Sequence, residues 1–229
     1  MDHLIAPVLP GSGGDAVAPL GRAYLRADVH LACIGPDAVL LDVGNDTYHC
    51  APNGARLCTM LATGGAAADE RAVSDLAAAG LTCADPPGAV RRPPPLPARS
   101  VIHDAKARVL LRDLGPALAA LRHVRMARRA QGLAPYLAME APLTGRDPAD
   151  VVEASRRFWT LLPYLPIEGE CLVRSALLMR FLRAQDLDAD WVFGVRLHPF
   201  AAHCWVQVHD LCLNDDVERL TPYTPIMVL

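Results

Sequence analysis

The chain has 229 residues, 52% of them hydrophobic and 21% charged, so it can bury one large or two small cores and is not intrinsically disordered. Its formal net charge is −3, and the 4 basic and 10 acidic side chains of residues 1–90 oppose binding of nucleic acid there. The 7 cysteines contain no Cys-x-x-Cys pair, which disfavours a disulfide framework and a thiolate zinc site.

The N-terminal segment, residues 1–21, is rich in proline and glycine and is expected to be loose. It has neither a basic start nor a continuous apolar run, so the pattern is not that of a signal peptide. No apolar run further along the chain reaches the length of a membrane span. We therefore expect a cytoplasmic protein with reduced cysteines, no nucleic-acid partner and no stable membrane insertion.

Residues 22–87 alternate like three short strands and then show two helical segments. The strand-like stretches are AYLRADVHLACIG, DAVLLDV and DTYHCA, and Gly-Asn-Asp separates the last two. Asn53 caps the first helix, which ends at a Gly-Gly pair, and the second helix runs over 69–80. Three strands followed by helices in so short a segment predict a small winged-helix-like unit.

A proline-rich run includes residues 88–100 and can continue neither a helix nor a central strand, so these residues are predicted to form a semi-rigid linker. Residues 101–131 follow with a helical pattern that is interrupted at Gly115–Pro116. One face of this helix carries three arginines, which we interpret as a solvated surface in preference to a ligand surface: Arg122, Arg125 and Arg129.

Asp147 followed by Pro148 predicts the start of another helix. A broadly apolar helix over about 171–185 comes next and begins with Cys171, in the stretch GECLVRSALLMRFL. Strands are expected near DWVFGVR, AHCWVQVH and LCLN. A cysteine in such a helix is more often a buried structural thiol than a nucleophile, so its interpretation depends on whether a base lies near it.

The position of Cys171 suits a nucleophile. The thiolate is the reactive form, and the unpaired N–H groups and positive dipole end of a helix N-terminus favour it. A base is available at His203, which opens a strand. If that strand pairs with LCLN across a turn at residues 209–210, Asp215 or Asp216 returns alongside His203, where a carboxylate can orient an imidazole.

Strict alternation divides the strand that begins near His203 into two faces. His203, Trp205 and Gln207 share the face that we expect to be open to a cleft. Cys204 lies on the opposite face, which we expect to be buried.

Residues 169–229 resemble the catalytic domain of the lasso-peptide biosynthesis protein B family, leader peptidases of the transglutaminase-like, papain-type fold. The motifs that carry the resemblance are, in order, CLVRS beginning at Cys171, Gly194–Val195 and Pro199–Phe200 ahead of AAHCWVQV, Asn214–Asp215, and YTPI at 223–226. One departure is Cys204, where the family usually has alanine. Because it lies on the opposite face from His203, we expect it to be tolerated.

The resemblance implies an α+β protein whose residues 101–229 form a transglutaminase-like cysteine peptidase domain, with Cys171 as nucleophile, His203 as base and Asp215 as the residue that orients the ring. Residues 22–87 are similar to a PqqD-like recognition domain, in which a leader peptide adds as a strand to an exposed sheet edge beside the helix 69–80. By position, that edge comprises Thr47, Tyr48, His49 and Cys50.

The implied function is cleavage of a lasso-peptide precursor at the leader–core junction, after which the core passes to an asparagine-synthetase-like cyclase. No metal and no cofactor of the chain's own are expected, any need for ATP arising through the partner cyclase. Two alternatives stay open, namely a transglutaminase-type acyl transferase with the same three residues and a non-catalytic scaffold that binds peptide and partner enzyme.

Overall fold

The computed structural model describes the backbone of residues 5–7 and, in full, residues 23–64, 70–86, 88, 91–103, 107–139 and 147–229. These residues form helices and strands in an α+β arrangement, as predicted. The chain divides into two compact units: unit 1 comprises residues 1–92 and 195–200, and unit 2 comprises residues 93–194 and 201–229.

Unit 1 contains the three strands and two helices that the sequence predicts. The strands of this unit are β1 (Ile5–Pro7), β2 (Tyr24–Leu25), β3 (Val29–Ile34), β4 (Asp37–Asp42), β5 (Thr47–Ala51) and β6 (Thr82–Cys83), and the helices are α1 (Ala55–Thr63) and α2 (Glu70–Ala78). Strands β3, β4 and β5 form an antiparallel meander, while β2 pairs separately with β6. The helices pack against the sheet through a core of Leu25, Val29, Ala38, Leu40, Cys58, Leu61, Val73, Leu76 and Leu81.

The edge of the meander carries an additional strand. Residues 5–7 pair in parallel with β5, Ile5 opposite Tyr48 and Pro7 opposite Cys50, so the sheet order is β1-β5-β4-β3. The expectation that residues 1–21 are loose is therefore wrong for 5–7, and the rest of that segment lies outside the described residues. The alternation of β5 marks it as a strand but does not reveal which segment pairs with its outer edge.

The remaining elements build unit 2 around a five-stranded sheet. They are β7 (Arg99–Ser100), α3 (Leu114–Ala130), α4 (Ala134–Leu137), α5 (Pro148–Leu161), α6 (Cys171–Arg183), β8 (Asp190–Arg196), β9 (Ala201–Val208), β10 (Leu211–Cys212), α7 (Val217–Leu220) and β11 (Thr224–Val228). The strand order is β11-β8-β9-β10-β7. The last two residues of the predicted linker thus lie in the sheet as β7, in parallel with β10.

Helix α3 begins later than the pattern over 101–131 predicts. It starts at Leu114, so Gly115–Pro116 lies in its first turn and does not interrupt it. Proline is accepted there because the first N–H groups of a helix have no intrahelical acceptor. The three arginines of the predicted solvated face are exposed, as expected: Arg122, Arg125 and Arg129.

Helix α6 occupies the centre of unit 2, in contact with α3, α5 and β9. Eight of its residues are buried, namely Val173, Ser175, Ala176, Leu177, Leu178, Met179, Phe181 and Leu182. Helix α5, which packs against it, begins as predicted: the Asp147 side chain accepts a 2.8 Å hydrogen bond from the Ala149 N–H, and Pro148 takes the first position. The first residue of α6 is therefore held on a rigid, buried support.

Both faces of β9 are covered, which corrects one expectation. His203 is half-buried, but Trp205 and Gln207, predicted to face a cleft, are completely buried. The Trp205 indole N–H donates to Gln207 Oε1 at 2.7 Å, and the Gln207 amide donates to the carbonyl of Pro95 at 3.1 Å. Alternation along one strand predicts two faces, but it does not reveal that Trp205 packs into a cluster with Val192, Cys212, Leu220 and Val228, or that Gln207 hydrogen-bonds to the proline-rich run.

Candidate active site

Cys171 is the first residue of α6, and the backbone before it passes unusually close to the helix. A Cβ atom at Gly169 would lie 2.4 Å from Cβ of Val173, so no larger residue fits at this position without movement. Glu170 precedes the helix without a capping side-chain hydrogen bond. The N–H groups of the first turn therefore remain available to stabilise negative charge beside the thiol.

The structure brings together the three residues that the sequence selects from separate segments. His203 Nε2 lies 2.6 Å from Asp215 Oδ2, and Cys171 hydrogen-bonds with the His203 ring. Because Nε2 faces the carboxylate, the other ring nitrogen is the one left for the thiol. The hairpin geometry leaves Asp215 and Asp216 as alternative partners of His203. In the structure the partner is Asp215, because Oδ2 of Asp216 lies 3.0 Å from Nε2 of His103 instead.

Ionisation of this trio is set by mutual contact. The hydrogen bond from Cys204 has the largest influence on the pKa of the Cys171 thiol and lowers it. Desolvation raises this pKa, whereas the hydrogen bond and charge of His203 lower it further, to about 4. Burial lowers the pKa of His203, but the hydrogen bonds and charges of Asp215 and Cys171 outweigh it and raise that pKa to about 9. Between these values the pair exists as thiolate and imidazolium.

Asp215 is itself fixed on both oxygens. Burial opposes its ionisation, but the hydrogen bond from His203 overcomes it and holds the pKa of Asp215 below its ordinary value. The backbone N–H of Asp216 donates to Oδ1 at 2.8 Å, and the guanidinium of Arg219 lies 3.4 Å from the same oxygen. The carboxylate can therefore hold the ring in one orientation.

A buried hydrogen-bond network ties together the segments that carry the trio. The Asn214 side chain accepts a 2.7 Å hydrogen bond from the Val206 N–H and donates one of 2.7 Å to Ser175 Oγ. Ser175 Oγ in turn lies 3.4 Å from the Cys204 carbonyl, to which it donates. Helix α6, strand β9 and the segment after β10 are thus linked through two side chains. Both stand in motifs noted in the sequence, but the spacing alone assigns them no role.

Cys171 opens onto a cleft of about 540 Å³ within unit 2, here called the thiol cleft. Its lining residues are Ile102, Trp159, Gly169, Glu170, Cys171, Arg174, Ala202, His203, Cys204, Asn214, Asp215 and Arg219. The Trp159 indole donates to the Leu213 carbonyl at 2.7 Å and so supports one wall. Sequence reasoning did not select Trp159 or Arg219, because neither lies in a pattern with Cys171.

Cys204 differs from the expectation that it is merely tolerated. It lies on the face of β9 opposite His203, as alternation predicts, but that face meets α6. Its sulfur lies 3.7 Å from Ser175 Oγ and hydrogen-bonds with Cys171. Burial, followed by the contact with Cys171, raises the pKa of the Cys204 thiol well above its ordinary value, so this thiol stays protonated.

The predicted leader-binding residues lie on β5, in unit 1. Tyr48 is buried, and its ring contacts that of Phe200 edge-on, with centroids 5.4 Å apart, while Thr47, His49 and Cys50 are half-buried. The expectation that they form an exposed edge needs correction, because β1 pairs with this strand. Leader binding at these four residues stays a prediction.

Two further observations concern metal ions and membrane spans. Among the described residues, no group of three or more His, Cys, Asp and Glu side chains is arranged to hold a metal ion. In the same part of the chain, no helix combines the length and the apolar character needed to cross a membrane.

A buried helix that presents a cysteine beside a histidine of a neighbouring strand, with an aspartate from the segment after the next strand, is the arrangement that the sequence resemblance to a transglutaminase-like, papain-type fold implies. Residues 114–228 match the family described as Transglutaminase-like superfamily, and the chain belongs to that superfamily. The predicted transglutaminase-like domain is thereby confirmed.

A more particular likeness is to the microcin J25-processing protein McjB of Escherichia coli. The two are 42% identical over 48 residues, which make up 21% of this chain and 23% of that protein. The match thus spans less than a quarter of the relative. No solved structure matches the chain.

Proposed function

We propose that the protein is a cysteine peptidase that binds the leader of a lasso-peptide precursor and cleaves it at the leader–core junction. The observation that carries this proposal is the contact of Cys171 with His203 and of His203 with Asp215 in an open cleft. The similarity to a protein named for processing microcin J25 supports a peptide precursor as the substrate.

The reaction begins with attack of the Cys171 thiolate on the scissile carbonyl carbon. The carbonyl oxygen becomes an oxyanion, for which the Cys171 backbone N–H at the start of α6 is a suitable donor. His203 then gives its proton to the leaving amine, which is the N-terminus of the core peptide. The leader remains on Cys171 as a thioester.

Hydrolysis of the thioester completes the cycle. Neutral His203 takes a proton from water, the resulting hydroxide attacks the thioester carbonyl, and the leader leaves with a new carboxylate. The imidazolium and thiolate are restored. Throughout, Asp215 stabilises the charged ring and keeps the same ring nitrogen directed at the sulfur.

The direct test is cleavage of a lasso-peptide precursor, chosen from any short reading frame found near the gene of this chain, with and without a lasso cyclase and ATP. We expect two fragments whose masses sum to that of the precursor plus one water. Cys171→Ala should reduce the rate at least about 10³-fold, because the nucleophile is lost. Cys33→Ala, which removes an exposed cysteine of unit 1, is the matched control and should leave the rate unchanged.

Other outcomes identify the rival functions. An adduct between the precursor and an added amine, in place of two fragments, would indicate an acyl transferase. Full pathway activity with Cys171→Ala would indicate a scaffold that binds peptide without chemistry, and the peptidase proposal would then be wrong.

For the leader, we propose that it takes the place of β1 beside Thr47–Cys50. Because β1 is only three residues long, few main-chain hydrogen bonds hold it on β5, and a leader strand needs to replace only these. Removal of residues 1–7 should then tighten binding of a fluorescent leader peptide by about 3- to 10-fold, since a free edge is always available. Weaker binding after this deletion would show that β1 contributes to the leader site.

A further inference from the structure

The cysteine beside the nucleophile forms and breaks no bond to the substrate in the proposed reaction. Cys204 hydrogen-bonds with Cys171, and both line the thiol cleft. All seven cysteines are free thiols in this structure. We propose that Cys171 and Cys204 are an oxidative modification site, at which a peroxide converts the two thiols into a reversible disulfide.

The surroundings make the two sulfurs chemically unequal. Cys171 lies at a helix N-terminus beside His203, faces the cleft and can be reached by a small oxidant. Cys204 is only 2% exposed and is held between Ser175 and Cys171. A peroxide therefore meets Cys171 first, and the neighbouring thiol is already in place to react with the product.

The step balances in two reactions. The Cys171 thiolate attacks one oxygen of hydrogen peroxide, the O–O bond breaks, and the departing hydroxide takes a proton from His203, which gives a sulfenic acid and water. Cys204 sulfur then attacks Cys171 sulfur, the S–O bond breaks, and the hydroxyl group leaves with the Cys204 proton as a second water. A dithiol reductant returns both thiols by exchange and is itself oxidised to a disulfide.

Disulfide formation removes the nucleophile, but it also protects it. A sulfenic acid without a thiol partner proceeds to sulfinic and sulfonic acids, which a dithiol does not reduce. With Cys204 beside it, Cys171 stops at a state that can be reversed. The modification stands on the two sulfurs alone, whereas its effect on precursor cleavage rests on the proposed function.

The other cysteines provide internal controls. Cys33 and Cys58 are near enough to influence each other, but Cys58 is fully buried and burial raises its thiol pKa to about 11. Burial likewise raises the pKa of Cys212 to about 11. We expect these three to remain thiols when Cys171 reacts.

The experiment treats the reduced full-length chain with a small molar excess of hydrogen peroxide at neutral pH. Intact mass and peptide mapping should show loss of about 2 Da and a Cys171–Cys204 bridge, and dithiothreitol should restore at least about 80% of the Cys171 alkylation by iodoacetamide. In Cys204→Ala, Cys171 should gain two or three oxygens, and less than about 20% should return. Cys33→Ala should behave like the unaltered chain.

Two results would overturn the proposal. One is direct oxidation of Cys171 to sulfinic or sulfonic acid in the unaltered chain while Cys204 stays a thiol. The other is equal recovery in Cys204→Ala, checked with Cys204→Ser and with thermal unfolding so that misfolding is recognised. Because the readouts are masses and thiol counts, they need no substrate: a bridge without precursor cleavage would refute only the proposed function.

Discussion

Two clefts described in unit 2 have the same volume, about 540 Å³, but their charged groups have different contacts. The second, here called the arginine cleft, is lined by Arg112, Pro116, Asp150, Glu153, Arg157, Ala184, Gln185 and Leu187. In it the buried Arg157 donates from Nε to Asp113 at 3.1 Å and from a terminal nitrogen to Gln185 at 3.3 Å, so the protein itself holds the guanidinium. In the thiol cleft, the charged pair is Cys171 and His203, and the sulfur of Cys171 faces the open cleft.

The comparison shows that volume does not distinguish a reactive site from a structural one. Arg157 and Asp113 form an ion pair that joins α5 to the segment before α3, so their interaction contributes to the stability of the fold. Cys171 and His203 also form a pair, but a thiolate and an imidazolium are both reactive species. Their contact therefore contributes to stability and also keeps two reactive groups side by side.

The largest expected effect is on the cleavage rate and comes from a change in the thiol cleft. Asp215→Asn should slow precursor cleavage by about 10²- to 10⁴-fold, because an amide neither stabilises the imidazolium nor keeps the ring nitrogen directed at the sulfur. Asp216→Asn makes the same chemical change one residue later, at a carboxylate that faces His103, and should stay within about 3-fold of the unaltered chain. Steady-state cleavage rates decide between them, and equal losses would contradict the role of Asp215.

The second largest effect is on stability and comes from a change in the arginine cleft. Arg157→Met leaves the completely buried Asp113 without its charge partner, which should lower the free energy of unfolding by about 3 kcal/mol. Urea titration measures the loss. Cleavage per folded molecule should change little, because Arg157 does not line the thiol cleft. A large fall in rate at unchanged stability would show that the two clefts are functionally coupled.

The smallest effect concerns pH. The pKa of Cys171 is lowered to about 4 and that of His203 is raised to about 9, so the thiolate is lost below the first value and the imidazolium above the second. Alkylation by iodoacetamide at pH 6 should therefore be about 10- to 100-fold faster at Cys171 than at the exposed Cys33, measured by peptide mass mapping. His203→Ala should reduce this advantage without abolishing it, because the hydrogen bond from Cys204 remains. Equal rates at both cysteines would exclude the ion pair.

Local geometry made much of this site predictable. The turn after β9 limits the returning carboxylate to two adjacent residues, since pairing across a hairpin is fixed by the turn, and the structure selects Asp215. The start of α5 follows from Asp147 and Pro148 for the same reason, because capping involves only neighbours in sequence.

What the sequence missed depends on contacts between distant segments. The role of Cys204 requires the position of α6 on β9, and the pairing of β5 requires residues 5–7. Burial of Trp205 likewise depends on a cluster with Val192, Cys212, Leu220 and Val228, and that of Gln207 on the segment around Pro95. The late start of α3 is a local error, in which a Gly-Pro pair of the first turn was interpreted as a break.

The Asn214–Ser175 network has a consequence for engineering. The hydrogen bonds that align thiol, ring and carboxylate lie within residues 171–216, and Arg219 adds an ion pair to the carboxylate just beyond that stretch. Ile102 and the exposed Arg174 line the same cleft but take no part in that alignment. Substitutions at these two positions offer a way to change which peptide enters while leaving the chemistry intact.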